Sequence, residues 1–260
     1  MIEHSPEHVQ SLARGLAVMK AFDRGNPRRT LSGVARVTGL TRATARRFLL
    51  TLTDLGYVRT DGAEFWLTPR VLELGYSYLS SLGITEVADS HLKALADRVH
   101  ESTSISILDG EDIVYVARVP VRRIMTVNIT IGTRFPAYST SMGRVLLAGL
   151  TDDAFDDYLS RVKLRPLTKQ TVISPDQLRQ HIAAVRAAGY CIVDQELEVG
   201  LRSLAAPLYD HTGSVAAAIN VSTAAAQHTV RTLRRDILPE LLATAGAIGA
   251  DLAAVNAAAV

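Results

Sequence analysis

Apolar residues recur at helical spacing from the start of the chain. In "VQSLARGLAVMKAF" (9–22), Val9, Leu12, Leu16, Met19 and Phe22 share one face, and Gly25, Asn26 and Pro27 stop the helix. "LSGVARVTG" predicts a short second helix, with Thr30 as N-cap and Gly39 at its end. "TRATARRFLLTLTDLG" predicts a third, capped by Thr41 and closed by Gly56, with Ala45, Phe48, Leu49, Leu52 and Leu55 on its apolar face. The period then changes. "YVRT" and "FWLT" are β-prone runs around Asp61-Gly62, a hairpin signal. Three helices, with a short turn between the second and third, then a hairpin: this is the order of a winged helix-turn-helix.

Thr68-Pro69 opens a connecting helix over 70–83, since proline is comfortable in a first turn, and 85–100 is a further amphipathic helix. From Ser102 the rhythm becomes that of strands. "STSISILDGEDIVYVARV" reads as a hairpin about Asp109-Gly110, and "IMTVNITIG" as a third strand. "SMGRVLLAGL" and "TDDAFDDYLSR" read as helices. "SPDQLRQHIAAVRAAG" is a helix with Ser174 as cap, Pro175 at its first position and Gly189 past its end. "YCIVDQE", "LRSLAAPLYD" and "SVAAAINVST" supply three more strands, and a final helix from about 229 is expected to break at Pro239. Six strands with helices between two hairpin sets predict an α+β domain on a mostly antiparallel six-stranded sheet. The 260 residues fit two domains: a winged helix-turn-helix at 1–67 and a larger domain at 85–260, joined by a linker helix at 68–84.

Composition adds little until charge is mapped. The net charge is only +2, yet residues 1–70 hold 11 Lys/Arg against 6 Asp/Glu, while the rest hold 17 against 20. A basic head on a slightly acidic body is a footprint for a polyanion near the N-terminus. The longest apolar runs fall short of a membrane span, and "MIEHSPEHVQ" has no apolar signal core. The lone Cys191 excludes an internal disulfide framework and a cysteine zinc site, and fits a reducing compartment. The expected location is the cytoplasm.

In a helix-turn-helix, the N-terminal residues of the recognition helix meet base edges in the major groove of double-stranded DNA. That helix starts here at Thr41. With its apolar face committed to packing, Arg42, Ala43, Arg46 and Arg47 point outward in its first two turns, beside Thr44. Arginine can bind guanine bidentately, threonine can bond a phosphate, and Ala43 can touch a thymine methyl. Arg59, near the hairpin, can reach a phosphate or the minor groove. Arg28 and Arg29 suit backbone contacts, which position without specifying. The competing reading, arginines that merely solvate a helix face, is outweighed by the order of capped helix, tight turn and hairpin.

Enzyme motifs are missing: no G-x-S-x-G, no P-loop, no G-x-G-x-x-G after a strand and no H-E-x-x-H. His4, His8, His91, His100, His181, His211 and His228 show no metal spacing, so neither a metal nor a cofactor is expected. A hydrolase built on Ser141, Asp194 and His211 is a paper possibility of the kind chance supplies. The alternative to a DNA-binding regulator is a metabolite-binding module or hydrolase-like enzyme whose head only mediates assembly.

"SLARGLAVMKAF", "LSGVARVTGLTRATARRFLLTLTDLGYV" and "FWLTPRVLELGYSYLSS" resemble the DNA-binding head and linker helix of the IclR family of bacterial transcription regulators. "VYVARVPVRRIMTVNITIGTRFPAYSTSMGRVLLAGL" and "GYCIVDQELEVGLRSLAAPLYDHTGSVAAAINVS" resemble its effector domain. "TRATARRFL" and "RRIMTV" point to its PcaR/PobR-like subgroup, which regulates aromatic-acid breakdown through the β-ketoadipate route. The resemblance implies a GAF-like effector domain, a homodimer or tetramer, palindromic promoter sites, and an effector such as protocatechuate, 4-hydroxybenzoate or β-ketoadipate. Gly33 stands where the family often has Glu, which would complete a capping box after Thr30.

By position, the resemblance places the effector pocket between the loop after the third strand and the last three strands. It would draw on Thr140, Ser141 and Met142 beside a helix N-terminus, and on Asp194, Glu196, Arg202, Ser203, Asn220 and Ser222, with Tyr138 and Met125 walling an aromatic ring. Ser203 replaces a cysteine found in some members. Two readings stand for Asp194 and Glu196: pocket wall, or ion pairs with Arg202. Asn220 and Ser222 either meet the ligand or satisfy backbone. Arg122, Arg123 and Arg134 are anion ligands or surface and dimer contacts.

Overall fold

The computed structural model describes residues 7–23, 25–81, 83–121 and 129–258, which divide into two compact units at Ser81/Leu82. The smaller unit holds α1 (Gln10–Lys20), β1 (Arg28–Thr30), α2 (Leu31–Thr38), α3 (Arg42–Asp54), β2 (Val58–Thr60), β3 (Glu64–Leu67) and α4 (Val71–Ser81). Thr30 and Thr41 cap α2 and α3: each hydroxyl oxygen accepts a backbone N–H three residues on, at 3.2 Å. The cap on α2 is thus made with Gly33 in the place of a longer side chain. Gly39, at φ +67°, ends α2 in the left-handed region that lets the chain turn into α3 within two residues. Val18, Phe22, Val34, Ala35, Ala45, Leu49 and Leu52 form the core between the three helices, and Val58 and Phe65 close it from the wing.

The wing is broader than a hairpin. Arg28–Thr30 pair antiparallel with β3, giving the order β1-β3-β2. Three residues behind a proline carry too little periodicity to read as a strand.

The larger unit opens with α5 (Ile84–Val99), then β4 (Ser102–Asp109), β5 (Asp112–Val119), β6 (Arg134–Pro136), a 3-10 turn (Ala137–Ser139), α6 (Ser141–Ala148), α7 (Asp152–Arg161) and α8 (Pro175–Ala188). β7 (Cys191–Asp194), β8 (Leu201–Tyr209), β9 (Val215–Ala224), α9 (Val230–Thr232) and α10 (Leu238–Ala258) complete it. All six strands pair antiparallel, in the order β6-β5-β4-β9-β8-β7. Alternate positions face opposite layers. The Thr103 hydroxyl donates to the Leu92 carbonyl of α5, whereas that of Ser106 reaches the Met142 sulfur of α6. α5 and α10 therefore cover one face of the sheet, and α6, backed by α7 and α8, covers the other.

Two expectations change. Arg134–Pro136 pair with β5; of the strand expected at 124–132, residues 131–132 form a turn and 124–128 lie outside the described residues. Nor does Pro239 break the last helix. A π turn at Leu233–Ile237 widens the hydrogen-bond ladder just before it, so the proline is accommodated at the start of α10. Among the described residues no helix is long and apolar enough to cross a membrane.

Candidate functional sites

The first site is the N-terminal half of α3. Ala45, Leu49 and Leu52 are buried, which turns Arg42, Ala43, Arg46 and Arg47 to solvent. The Thr41 hydroxyl caps the helix and also donates to the Thr44 hydroxyl at 2.9 Å. Arg42, Arg46, Arg47 and the wing's Arg59 form no ion pair or side-chain hydrogen bond with any described residue. Four guanidinium groups with no internal partner are free to bind phosphate or base edges.

The two arginines before α2 differ from them and from each other. Arg28 lies 4.0 Å over the Trp66 ring and 3.4 Å from Asp61, about half exposed. Arg29 is 11% exposed; its Nε donates to the Ala21 carbonyl at 2.6 Å, and Asp23 lies 3.6 Å away. Arg29 thus closes the end of α1 and is not available as the backbone contact expected of it.

The second site is a narrow cavity in the larger unit, with about 20 Å³ of water-accessible volume. The first residues of α6 and the preceding turn form one wall (Ser139, Thr140, Ser141, Met142). The sheet forms another (Tyr115, Val193, Ser203, Asn220, Ser222), and Ile129, Leu197 and Leu201 close it with apolar surface. Thr140, Ser141, Met142, Ser203, Asn220 and Ser222 therefore come together as the sequence suggested. The Ser141 hydroxyl donates to Ser203 at 2.9 Å, and the Asn220 amide N–H donates to Ser222 at 2.9 Å. Asn220 Oδ1 is buried with no hydrogen-bond partner among the described residues. An orphaned buried carbonyl costs about 1–3 kcal/mol, a cost that a ligand donor would remove.

α6 starts beside the cavity because Gly143 lets it do so. A Cβ there would stand 2.1 Å from the Ala137 carbonyl oxygen, so only glycine allows the helix this close to the 3-10 turn. Thr140 caps the helix through Gly143 N at 3.0 Å.

The remaining residues expected in the pocket turn elsewhere. Tyr138 is buried with its hydroxyl donating to the Arg165 carbonyl at 2.9 Å, behind the cavity wall. Asp194 is gripped by Arg202 through two contacts of 2.8 Å, and Arg202 also donates to the carbonyls of Ala225 and His228. That pairing holds the Asp194 carboxyl below the usual carboxylate range, chiefly through the Arg202 hydrogen bond. Glu196 bonds Arg144, a residue the strand and helix pattern gave no reason to single out. Met125, with Arg122 and Arg123, lies outside the described residues. Arg134 is a surface residue bridging Asp109 at 2.6 Å and Asp112 at 3.2 Å. Tyr115 was missed, although alternation along β5 opposite Ser106 was a signal that could have found it. Of the paper triad, Ser141 donates to Ser203, Asp194 is held by Arg202, and His211 sits in the β8–β9 turn.

Residues 11–62 match the IclR helix-turn-helix domain, and residues 76–250 match the bacterial transcriptional regulator IclR C-terminal domain. The chain is 45% identical over 239 residues to the Pca regulon regulatory protein of Pseudomonas putida, covering 92% of this chain and 82% of that one. It superposes on a putative transcriptional regulator from Rhodococcus sp. RHA1 with a TM-score of 0.87 and 63% identity, over 95% of this chain and 100% of that one. An IclR homolog from Microbacterium hydrocarbonoxydans, complexed with 4-hydroxybenzoate, has a TM-score of 0.84 at 25% identity, over 94% and 99%. This chain belongs to the IclR family of bacterial transcriptional regulators.

Proposed function

We propose that this protein binds double-stranded promoter DNA and regulates genes of aromatic-acid breakdown in response to a small organic acid held in the effector-domain cavity. The observation that carries this reading is the cavity itself: the orphaned Asn220 carbonyl and the hydroxyls of Ser141, Ser203 and Ser222 converge in one apolar-walled space. The 4-hydroxybenzoate complex of the Microbacterium homolog and the Pca regulon of the Pseudomonas relative support an aromatic acid as its occupant. Thr140 and Met142 complete the wall.

In the head, Arg42, Ala43, Arg46 and Arg47 face the groove, Thr41 and Thr44 order the start of the helix, and Arg28 and Arg59 hold phosphate. The exposed apolar residues Val9 just before α1, Leu12 and Leu16 on α1, and Leu72 and Tyr76 on α4, support a homodimer that sets two heads on a palindromic site. Such a regulator works in the cytoplasm, where its DNA is. The ligand acts by binding two quaternary states unequally.

Gel-shift titrations on the upstream intergenic DNA test this reading. They are run at several salt concentrations, with and without protocatechuate, 4-hydroxybenzoate and β-ketoadipate. The expected result is sequence-selective, salt-sensitive binding that one of these acids changes. Binding that is neither selective nor salt-sensitive at every ligand level overturns it.

A further inference from the structure

Strand β5 carries an irregularity that changes which side chains face the cavity. Ile105 pairs with Ala117 and Ser106 with Tyr115, so Val116 is an extra residue on β5. In an unbroken strand, residues three apart point to opposite faces. The bulge cancels that alternation and puts Tyr115 and Arg118 on one face. The partners identify the face. Tyr115 stands opposite Ser106, which reaches Met142 of α6, and Arg118 stands opposite Ser104, itself opposite Asn220 on β9. Tyr115 and Asn220 line the cavity, and Arg118 shares their face of the sheet, its guanidinium on Ser104, the strand neighbour of Asn220.

Among the described residues the charge on Arg118 has no counter-charge. Its Nη1 donates to the Ser104 hydroxyl at 3.0 Å, and no described carboxylate pairs with it. The more deeply buried arginines of this domain do have such partners: Arg144 has Glu196, and Arg202 has Asp194. Burial pulls the Arg118 guanidinium down from its ordinary value, yet arginine stays charged at physiological pH. The Tyr115 hydroxyl also has no hydrogen-bond partner among the described residues, and burial pushes its phenol up to about 12, so it remains a neutral O–H donor. One side of the cavity thus offers an unused donor, Tyr115, and the unused acceptor Asn220 Oδ1, with the Arg118 cation beside them on Ser104. A carboxylate bearing a separate hydroxyl satisfies all three.

We propose that Arg118 is the cationic anchor of the effector's carboxylate, with Tyr115 as a second donor and Asn220 Oδ1 accepting from a ligand hydroxyl. The proposal rests on reading the cavity as the effector site.

Isothermal titration of the full chain compares 4-hydroxybenzoate with its neutral isostere 4-hydroxybenzamide, for the wild type, Arg118→Gln and Arg118→Lys. The wild type is expected to prefer the acid by roughly 10- to 100-fold, the range of a hydrogen-bonded charge pair. Arg118→Gln should lose that preference while amide affinity stays within about threefold, and Arg118→Lys should retain part of it. Because the lysine variant keeps the stem and the charge, it serves as the folded control if the glutamine variant is unstable. A glutamine variant that still prefers the acid, or that weakens for acid and amide equally, overturns the anchor alone. A wild type that binds neither compound overturns the cavity reading and the anchor with it.

Discussion

Arg144 of α6 and Glu196 of the β7–β8 loop meet at 2.6 Å inside the effector domain, with side chains only 3% and 9% exposed. Arg144 Nε also donates to the Tyr138 carbonyl at 2.9 Å, and Glu196 Oε2 also accepts from Val172 N at 2.9 Å. The Thr168 and Thr171 hydroxyls hold the carbonyls of Gln195 and Glu196, each at 2.7 Å. The pair therefore joins two walls of the cavity: α6, which carries Ser141 and Met142, and the loop that carries Leu197.

Removing one partner leaves the other charge buried and alone. Glu196→Gln is expected to destabilise the effector domain by about 3–5 kcal/mol. Replacing both residues with apolar ones of similar volume should recover part of that loss, since neither charge is then desolvated. Urea unfolding of the single and double variants checks both outcomes.

His181 gives the same network a pH dependence. Arg144 Nη1 lies 3.1 Å from His181 Nδ1. Arginine has no acceptor, so Nδ1 must accept and the ring proton sits on Nε2. Burial first, and then the Arg144 charge, hold this histidine below its ordinary 6.5. Below 6.5 the unfolded chain takes up a proton that the folded ring refuses. The contribution of His181 to stability is therefore complete above that pH and declines as pH falls toward the depressed folded value. Urea midpoints measured across this window should slope less in His181→Asn than in the wild type.

Gly143 is expected to tolerate no side chain. A Cβ would meet backbone atoms of Ala137 at 2.1, 2.4 and 2.6 Å, and backbone cannot swing away as a side-chain tip can. Gly143→Ala should cost about 3 kcal/mol as α6 is pushed from the 3-10 turn. A thermal melt within a degree or two of the wild type would contradict this.

Arg46 and Arg29, both basic residues of the head, should behave oppositely. Arg46→Ala removes a guanidinium with no internal partner, so the fold stays intact while operator affinity falls and the salt slope shrinks by about one. Arg29→Ala removes a 2.6 Å bond to the end of α1 and should lower the melting temperature of the head. Circular dichroism melts beside gel shifts separate the two; an Arg46→Ala protein that binds DNA undiminished would drop that residue from the interface.

The head was largely legible from sequence because its signals are local. Thr30 and Thr41 each cap the helix expected of them, as Ser174 does in the larger unit, since a cap is a contact between residues three apart. The apolar spacing of α3 likewise set which arginines face outward. The β1 strand and the short β6 escaped notice because their pairing partners lie far along the chain.

In the cavity the sequence pointed to a cluster of hydroxyl and amide residues near α6 and on β8 and β9 through its resemblance to the IclR family, with Asn220 and Ser222 on one strand face at period two. Tertiary structure alone decided how the charges are shared. Asp194 and Arg202 stand opposite each other across β7 and β8 and neutralise one another, while Glu196 is drawn inward to Arg144. A single bulge at Val116 then rephases β5 and puts Arg118 on the same sheet face as Tyr115 and Asn220. Register and bulges are set by the packing of whole strands, so no pattern along one strand reveals which charge will be paired and which left free.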